Sequence, residues 1–421
     1  MQCKAYPFVM ILILFASVAA AGATGVQTQP GTAKHHVLYS FTGGSDGSTP
    51  AGGLVLDAAG NIYGTTQTGG SACKNSRCGV VFELSRQAGN SWTEKVLYNF
   101  SGGPDGGGPS GSLVFDAAGN LYGTGQVGGP NYYGIVYQLA PQAGGGWVEN
   151  ILHSFQLGAG DGYQPVSGVI KDAAGNLYGT TIAGGAAGYG TVFELMPGAN
   201  NSWSESILYS IAGGSDGSSP TAGVTFDAKG NLYSAAGGGN DANFGTVFQL
   251  SPQAGGTWKE TVLYAFGRKG RLGAGPNDLV VDSAGNLYGT TSYGGAHNSQ
   301  GGYGAVFELT PKKSGGWKDT LLHSFDLKGD DGYRPVGALI SDAAGNLYGV
   351  TEEGGSHNKG MVFKLTQTHP GEWTETVLYN FRGSADGAHP GAGLTMNSAG
   401  HLLGTTQAGG KGFGVVFEII P

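Results

Sequence analysis

Charge is scarce in this chain. Of 421 residues only 12 % are Asp, Glu, Lys or Arg, about half the usual ~25 %, and the formal net charge is −8. With no basic patch there are no counterions to release from a phosphate backbone, and anionic lipid would repel the surface, so nucleic acid and membrane surfaces are excluded as partners. Cysteine is nearly absent too, with three residues, of which Cys3 lies ahead of the first apolar run. Cys73 and Cys78 share one short loop with no further Cys or His nearby, which speaks against a zinc site and for a local disulfide. Helical periodicity is missing, and with it any mount for a phosphate loop, a His-Glu-x-x-His helix or a dinucleotide fingerprint. Gly43-Gly44-Ser45-Asp46-Gly47 spells a nucleophile elbow, but it joins strands where an elbow needs a strand-to-helix turn. No cofactor and no protein metal site are expected, calcium on clustered carboxylates being the exception.

One long apolar run is present, from Phe8 to Ala21 behind Lys4, followed by small residues that offer cleavage after Ala21 or Ala23. At about 14 residues it is short of the ~20 a bilayer span requires, so residues 1–23 read as a signal peptide and residues 24–34 as a polar lead-in. With the leader cleaved no membrane span remains, and a secreted or periplasmic monomer is expected.

Glycine is the abundant residue, 83 of 421 against a usual ~7 %, yet it is locked to a repeat and not scattered. A close variant of Asp-Ala-Ala-Gly-Asn-Leu-Tyr-Gly begins at Asp57, Asp116, Asp172, Asp227, Asp282, Asp342 and, degenerated, at Asn397, in steps of 59, 56, 55, 55, 60 and 55 residues. Solenoid repeats run roughly 20–47 residues, whereas a four-stranded blade with its loops fits this period. In the first repeat Gly53–Asp57, Ile62–Thr66, Val80–Leu84 and Trp92–Phe100 alternate as strands, with Ala58-Ala59-Gly60-Asn61 as a tight turn needing a positive φ at the glycine. In the fourth strand Trp92, Glu94, Val96, Tyr98 and Phe100 are expected on one face and Leu97 on the other.

The fourth-strand motif also occurs seven times, but its first copy, Val37–Phe41, precedes the first repeat, while the last repeat ends after Val415–Ile419. Pairing the two ends would remove two open sheet edges. The fold is therefore expected to be all-β: residues 35–421 as one seven-bladed β-propeller of four antiparallel strands per blade, closed by the N-terminal strand completing the last blade.

Strand order puts the second-to-third loops and the blade-to-blade connections on one loop-rich face. Those connections repeat Asp-Gly-x-x-Pro at Asp46, Asp105, Asp161, Asp216, Asp331 and Asp386; the fifth blade has Arg271 to Pro276 instead. Such a ring of carboxylates either binds calcium or sugar hydroxyls, or caps its own turns, and its uniformity favours capping. Departures from the repeat are more suggestive. His153 and His323 replace the common Tyr and lead into Asp161 with Tyr163 and Asp331 with Tyr333 and Arg334, aromatic and acidic groups suited to carbohydrate, although Tyr packing on a neighbouring loop and His packing in the sheet serve equally. His297 and His357 lie in second-to-third loops of the same face and, with Glu352 and Glu353, are the candidates for acid, base or metal chemistry.

The repeated Gly-Asn-Leu-Tyr-Gly-Thr-Thr, the Gly-Gly pairs Gly69-Gly70, Gly184-Gly185, Gly294-Gly295 and Gly409-Gly410, and Gly-x-Val-Phe-x-Leu resemble the GloVer-type tandem repeat of bacterial exported proteins over residues 36–421. The resemblance implies export and repetition; no general activity goes with it, and a C-terminal anchor of the kind typical of that family is not expected here. The Asp-x-x-Gly-Asn-Leu-Tyr turns are also similar to those of NHL-like propellers, a likeness of fold only. Taken together, the sequence points to an exported, non-enzymatic propeller binding a glycan, peptide or cell-surface ligand through its loop-rich face. A propeller hydrolase or lyase acting on a sugar or lactone through Asp161, Asp331, His297 or His357, and a structural or adhesive repeat protein, are the alternatives.

Overall fold

A computed structural model describes residues 33–73, 77–158, 160–238, 244–267, 271–296, 302–328 and 330–421. The expected signal peptide, nearly all of the expected lead-in and His297 lie outside the described residues. Seven antiparallel sheets follow one another as blades of a propeller, and no α-helix occurs among the described residues. Blade 1 runs from a broken inner strand, Ser48–Pro50 with Val55–Leu56, through Ile62–Thr68 and Val80–Arg86 to the outer strand Trp92–Asn99. In blade 7, Val415–Ile420 pairs with Lys34–Ser40, from Lys34 opposite Ile420 to Ser40 opposite Val415, so the ring closes as the sequence implies.

The repeated Asp explains itself locally. Asp57 Oδ1 accepts hydrogen bonds from the Ala59 and Asn61 amides, both at 2.9 Å, and Oδ2 accepts from Asn61 Nδ2 at 2.8 Å and from the Tyr63 hydroxyl at 3.1 Å. Gly60 takes φ +84° to close the turn. One motif thus holds the turn, orients the tyrosine and starts the second strand. At the next strand position Gly64 lies under Phe82 and Leu54: a Cβ there would stand 2.7 Å from Phe82 Cζ and 2.8 Å from Leu54 Cδ2. Blade 4 carries Ser234 at this place, its hydroxyl donating to the Ala222 carbonyl. Gly64→Ala is expected to cost about 1–3 kcal/mol through this overpacking, read as a lowered denaturation midpoint; an unchanged midpoint would show that the ring and Leu54 yield freely.

Strict alternation fails in the outer strands. In blade 1 Phe82 pairs with Val96 but Val81 with Tyr98, leaving Leu97 as the extra residue of a β-bulge, and the same shift recurs in the other six outer strands. Trp92, Glu94, Val96, Tyr98 and Phe100 therefore do not share one face as period two predicts. The bulge turns the aromatic end of the strand toward the neighbouring blade. There Phe41 meets Phe82 edge-on at 5.2 Å, Phe155 meets Phe193 at 5.3 Å, and Phe381 meets Phe417 at 5.1 Å, all fully buried. Each pair joins the end of one blade to the third strand of the next, which is how a ring without a common core is held together.

Candidate functional site

Three regions of this ring carry chemistry. The inner strands line a central cavity of about 470 Å³. Its wall is Gly, Ala, Ser, Thr and aliphatic residues with Asn277, and among the described lining residues Asp278 is the one ionisable group. Burial raises its pKa, opposed by the Gly223 amide, which donates to Oδ1 at 2.6 Å.

The second region is the set of blade connections. Each Asp-Gly-x-x-Pro carboxylate accepts from its own loop: Asp46 from the Thr42 amide at 2.7 Å, Asp216 from the Ala212 amide at 2.7 Å, Asp386 from the Arg382 amide at 3.0 Å, and Asp105 from the Ser101 amide and hydroxyl. Turn capping is thus a real occupation of these oxygens. The residue before each proline adopts a left-handed conformation, as at Thr49, Gln164, Ser219, Arg334 and His389 (φ 50–58°), and its amide donates to the preceding blade's second-to-third loop: Thr49 to Phe413 O, Gln164 to Tyr133 O, Ser219 to Tyr189 O, Arg334 to Tyr303 O and His389 to Lys359 O. The connection is therefore a clamp between blades.

Behind each clamp a titratable group on the outer strand of one blade meets the Asp and a residue on the outer strand of the next. The usual members are Tyr, Asp and Glu: the Tyr39 hydroxyl donates to Asp46 at 3.0 Å with Glu94 close by, and Tyr209 donates to Asp216 at 2.8 Å with Glu260 close by. At Tyr98 the hydroxyl donates to Glu149 at 3.1 Å with Asp105 close by. Burial and then the charge of Asp46 push Glu94 up to about 7; burial does the same to Glu149, the Tyr98 hydrogen bond opposing and Asp105 assisting. Between blades 4 and 5 an Arg271–Asp319 ion pair at 3.4 Å stands in, and between blades 6 and 7 His35 takes the glutamate place, stacked on Tyr379 at 4.1 Å.

Two junctions carry His instead of Tyr. His153 Nε2 stands 3.4 Å from Asp161 Oδ2 and 3.6 Å from Glu205 Oε2; His323 Nε2 stands 3.6 Å from Asp331 Oδ1 and 3.8 Å from Glu375 Oε2. Burial opposes the imidazolium of His153, but the facing Asp161 carboxylate and the charge of Glu205 outweigh it and raise its pKa, and the same balance raises that of His323. Burial pushes Glu205 upward and Glu375 up to about 7, in each case against the pull of the histidine. Asp161 was legible as a candidate. Glu205 and Glu375 were not, although their Trp-x-Glu spelling recurs in the outer strands; the partnership is made across blades 44 residues apart in sequence (Asp161 to Glu205, Asp331 to Glu375).

The third region is the loop-rich face. Tyr163 packs edge-on to Tyr133 at 5.5 Å and Tyr333 to Tyr303 at 5.9 Å, while the Tyr333 hydroxyl donates to Asn358 Oδ1 at 2.9 Å. Arg334 is held by Glu353 at 2.7 Å and Glu352 at 3.2 Å and lies 5.8 Å from the Tyr293 ring centre, so its one positive charge is shared between two carboxylates. His357 is exposed beside a shallow hollow with Asp330, Tyr379 and Arg382. The sequence candidates are thus spread over separate junctions: Asp161 and Tyr163 at blades 2 and 3, Asp331, Tyr333 and Arg334 at blades 5 and 6. Missed by sequence reasoning were the exposed apolar side chains of this face, Tyr132 (70 % exposed), Tyr189 (46 %), Tyr293 (49 %) and Phe413 (43 %), with Leu157 and Leu327 in the connections.

A closed ring of seven like blades with variable loops on one face defines a repeat-built propeller. The chain belongs to the Gloeobacter/Verrucomicrobia repeat family, whose model matches residues 18–171, 78–300 and 296–421. No curated protein sequence matches it. Solved structures similar to it include a protein from Thermus thermophilus assigned as an oxidoreductase (glucose dehydrogenase), with 14 % identity and TM-score 0.45 over 92 % of this chain and 100 % of that one. A gluconolactonase from Xanthomonas campestris shows 13 % identity and TM-score 0.41 over 82 % and 90 %, and a protein of unknown function from Dyadobacter fermentans 13 % and 0.44 over 92 % and 98 %. At such identities and scores these likenesses say nothing about chemistry. A disulfide joins Cys73 and Cys78 in the second-to-third loop of blade 1, and among the described residues no helix is long and apolar enough to cross a membrane.

Proposed function

We propose that this chain is an exported binding propeller that takes an uncharged ligand, a glycan before a peptide, on its loop-rich face. The observation that carries the reading is the placement of the exposed rings: Tyr132, Tyr189, Tyr293 and Phe413 all stand on that face, and the other exposed large apolar residues away from it, Val37, Val148 and Met196, are aliphatic or thioether side chains of strands. Rings held on a rigid clamp lose little entropy on stacking against a sugar, and a surface with little charge sets no desolvation barrier to a neutral ligand. Tyr189 and Phe413 pack against Gly213 and Gly43, where no side chain separates ring from backbone. Export is supported by the leader and by the Cys73–Cys78 disulfide. Catalysis by a carboxylate pair in the central cavity would need a partner for Asp278, and no other described lining residue is acidic.

Affinity electrophoresis of the protein through gels containing neutral polysaccharides tests the reading. The triple variant Tyr132→Ala, Tyr189→Ala, Phe413→Ala is expected to lose at least about tenfold in affinity, since each ring contributes ~0.5–1.5 kcal/mol beyond its area. Binding that is unchanged in the triple variant, or no retardation of the parent by any neutral glycan tried, would overturn it.

A further inference from the structure

The seven blade junctions are near-copies of one another, which makes their differences informative. At four junctions with Tyr on the outer strand the hydroxyl is already hydrogen-bonded to a carboxylate: Tyr39 to Asp46, Tyr98 to Glu149, Tyr209 to Asp216 and Tyr379 to Asp386. Where His153 stands, Nε2 is buried without a hydrogen-bond partner although it faces two carboxylates. Asp161 is only 7 % exposed, and while its Oδ2 accepts from the Gln156 amide at 3.0 Å, its Oδ1 is buried and unpartnered; Glu205 Oε1 is likewise. Imidazole, aspartate and glutamate each offer a ligand atom, and these atoms all lie within 4.8 Å of one another.

We propose that His153, Asp161 and Glu205 form a zinc site that ties blade 2 to blade 3. Ligand atoms bound to zinc at about 2.0–2.2 Å in a tetrahedron stand roughly 3.3–3.6 Å apart. The two measured separations from His153 Nε2 are 3.4 and 3.6 Å. One nitrogen and two carboxylate oxygens match a borderline-soft cation, whereas calcium wants six to eight oxygens; at the other Asp-Gly-x-x-Pro loops the second carboxylate oxygen is already taken, Asp46 Oδ1 by the Thr42 hydroxyl, Asp216 Oδ1 by the Gly214 amide and Asp386 Oδ1 by the Ser384 hydroxyl. The fourth position falls to water, because the His153 side chain keeps 20 % exposure and Glu205 15 %. Three elements supply the ligands: the outer strand Trp147–Ser154, the following connection, and the outer strand Trp203–Ser210 of the next blade. The cation would therefore cross-link two blades at the point where the clamp is polar.

The His323 cluster is the internal comparison. Both Asp331 oxygens already accept amides, Oδ2 from Asp326 and Oδ1 from Gly332, each at 2.8 Å, and its separations are wider. It is expected to bind zinc more weakly or not at all.

The test is zinc stoichiometry by elemental analysis after equilibration of the purified protein with zinc and removal of free metal, together with the visible absorption of the cobalt-substituted protein. The parent is expected to retain zinc and to show the intense bands of tetrahedral cobalt. His153→Tyr, which installs the residue other junctions carry and so preserves the fold, is expected to lower the stoichiometry by one equivalent and abolish those bands; Glu205→Gln is expected to act alike, and His323→Tyr to leave the bands intact. A parent that retains no zinc, or a folded His153→Tyr variant with undiminished stoichiometry, would overturn the assignment.

Discussion

Removing residues 1–41 is expected to turn a monodisperse protein into an aggregating one, and moving the same strand to the other end of the chain is expected to restore it. The segment Lys34–Ser40 supplies the outer strand of blade 7, and Phe41 directly after it lies fully buried in a cluster with Leu54, Phe82, Leu403 and Val416. Deletion exposes the unpaired edge of Val415–Ile420 and leaves the Phe82 ring without the edge-on partner that joins blade 7 to blade 1. Phe41→Ala alone removes that contact and should cost about 3–5 kcal/mol. Lys34 sits opposite Ile420, so a short Asn-Gly turn can connect Pro421 to Lys34 as a hairpin. A permuted chain starting at Thr42 and ending, after that turn, with Lys34–Phe41 keeps every ladder bond. Size-exclusion profiles and thermal midpoints check both arms: an unaggregated deletion variant, or a permutant as damaged as the deletion, would be falsifying for closure by this strand.

That closure was legible because it follows from counting: seven outer-strand motifs, one displaced to the front. The turn at Asp57–Asn61 was legible for a similar reason, since its hydrogen bonds lie within seven residues. What escaped the sequence is made between blades or by backbone geometry. The bulge at Leu97 changes no residue type, yet it re-aims Phe100 toward Tyr137 of the next blade, at 5.0 Å. The left-handed Thr49 is written as an ordinary Ser-Thr-Pro, and only the amide it gives to Phe413 O explains the conformation. His153 and His323 stood out as departures, but nothing in the spelling of Glu205 and Glu375 marked them, since what sets them apart is the histidine of the preceding blade that each one faces. Arg334, a candidate for ligand contact, is occupied by Glu352 and Glu353. Phe413 and Tyr189 stand at an aromatic-Gly position that recurs as Tyr133, Phe244 and Tyr303, but those three rings pack against the neighbouring cores, so the spelling does not tell an exposed ring from a packed one, and Tyr132 lies one residue outside that position.

In chelator-treated protein the thermal midpoint is expected to be highest near about pH 5 and to fall by several degrees toward pH 8, the reverse of the slope expected were carboxylate ion pairs the main titrating contribution. Glu94 and Glu149 titrate near 7 in the fold against an ordinary 4.5, chiefly because burial disfavours their ionised form. Between those values the folded chain holds protons the unfolded chain has released. Stability from such groups is therefore complete below about 4.5 and lost as the pH climbs through 7. Glu260, raised by burial and by Asp216, acts in the same direction. Two opposing sets define the acid side. His35, lowered to about 4 by burial, is neutral in the fold where the unfolded chain is charged, so it loses stability as the pH falls below 6.5. In the turns burial raises Asp57, Asp116, Asp227 and Asp342, but their Asn, Tyr and amide hydrogen bonds more than offset it and hold them low, so their contribution disappears only as the pH falls through and below their ordinary value of 3.8. The glutamates outnumber the histidine in the window they share. The double variant Glu94→Gln, Glu149→Gln carries the neutral form permanently and is expected to flatten the alkaline decline while leaving the acid limb in place. A midpoint that rises from pH 5 to pH 8 in the parent, or an equally steep decline in the double variant, would mean that water reaches these carboxylates and that the junctions between blades are less tightly closed than their geometry implies.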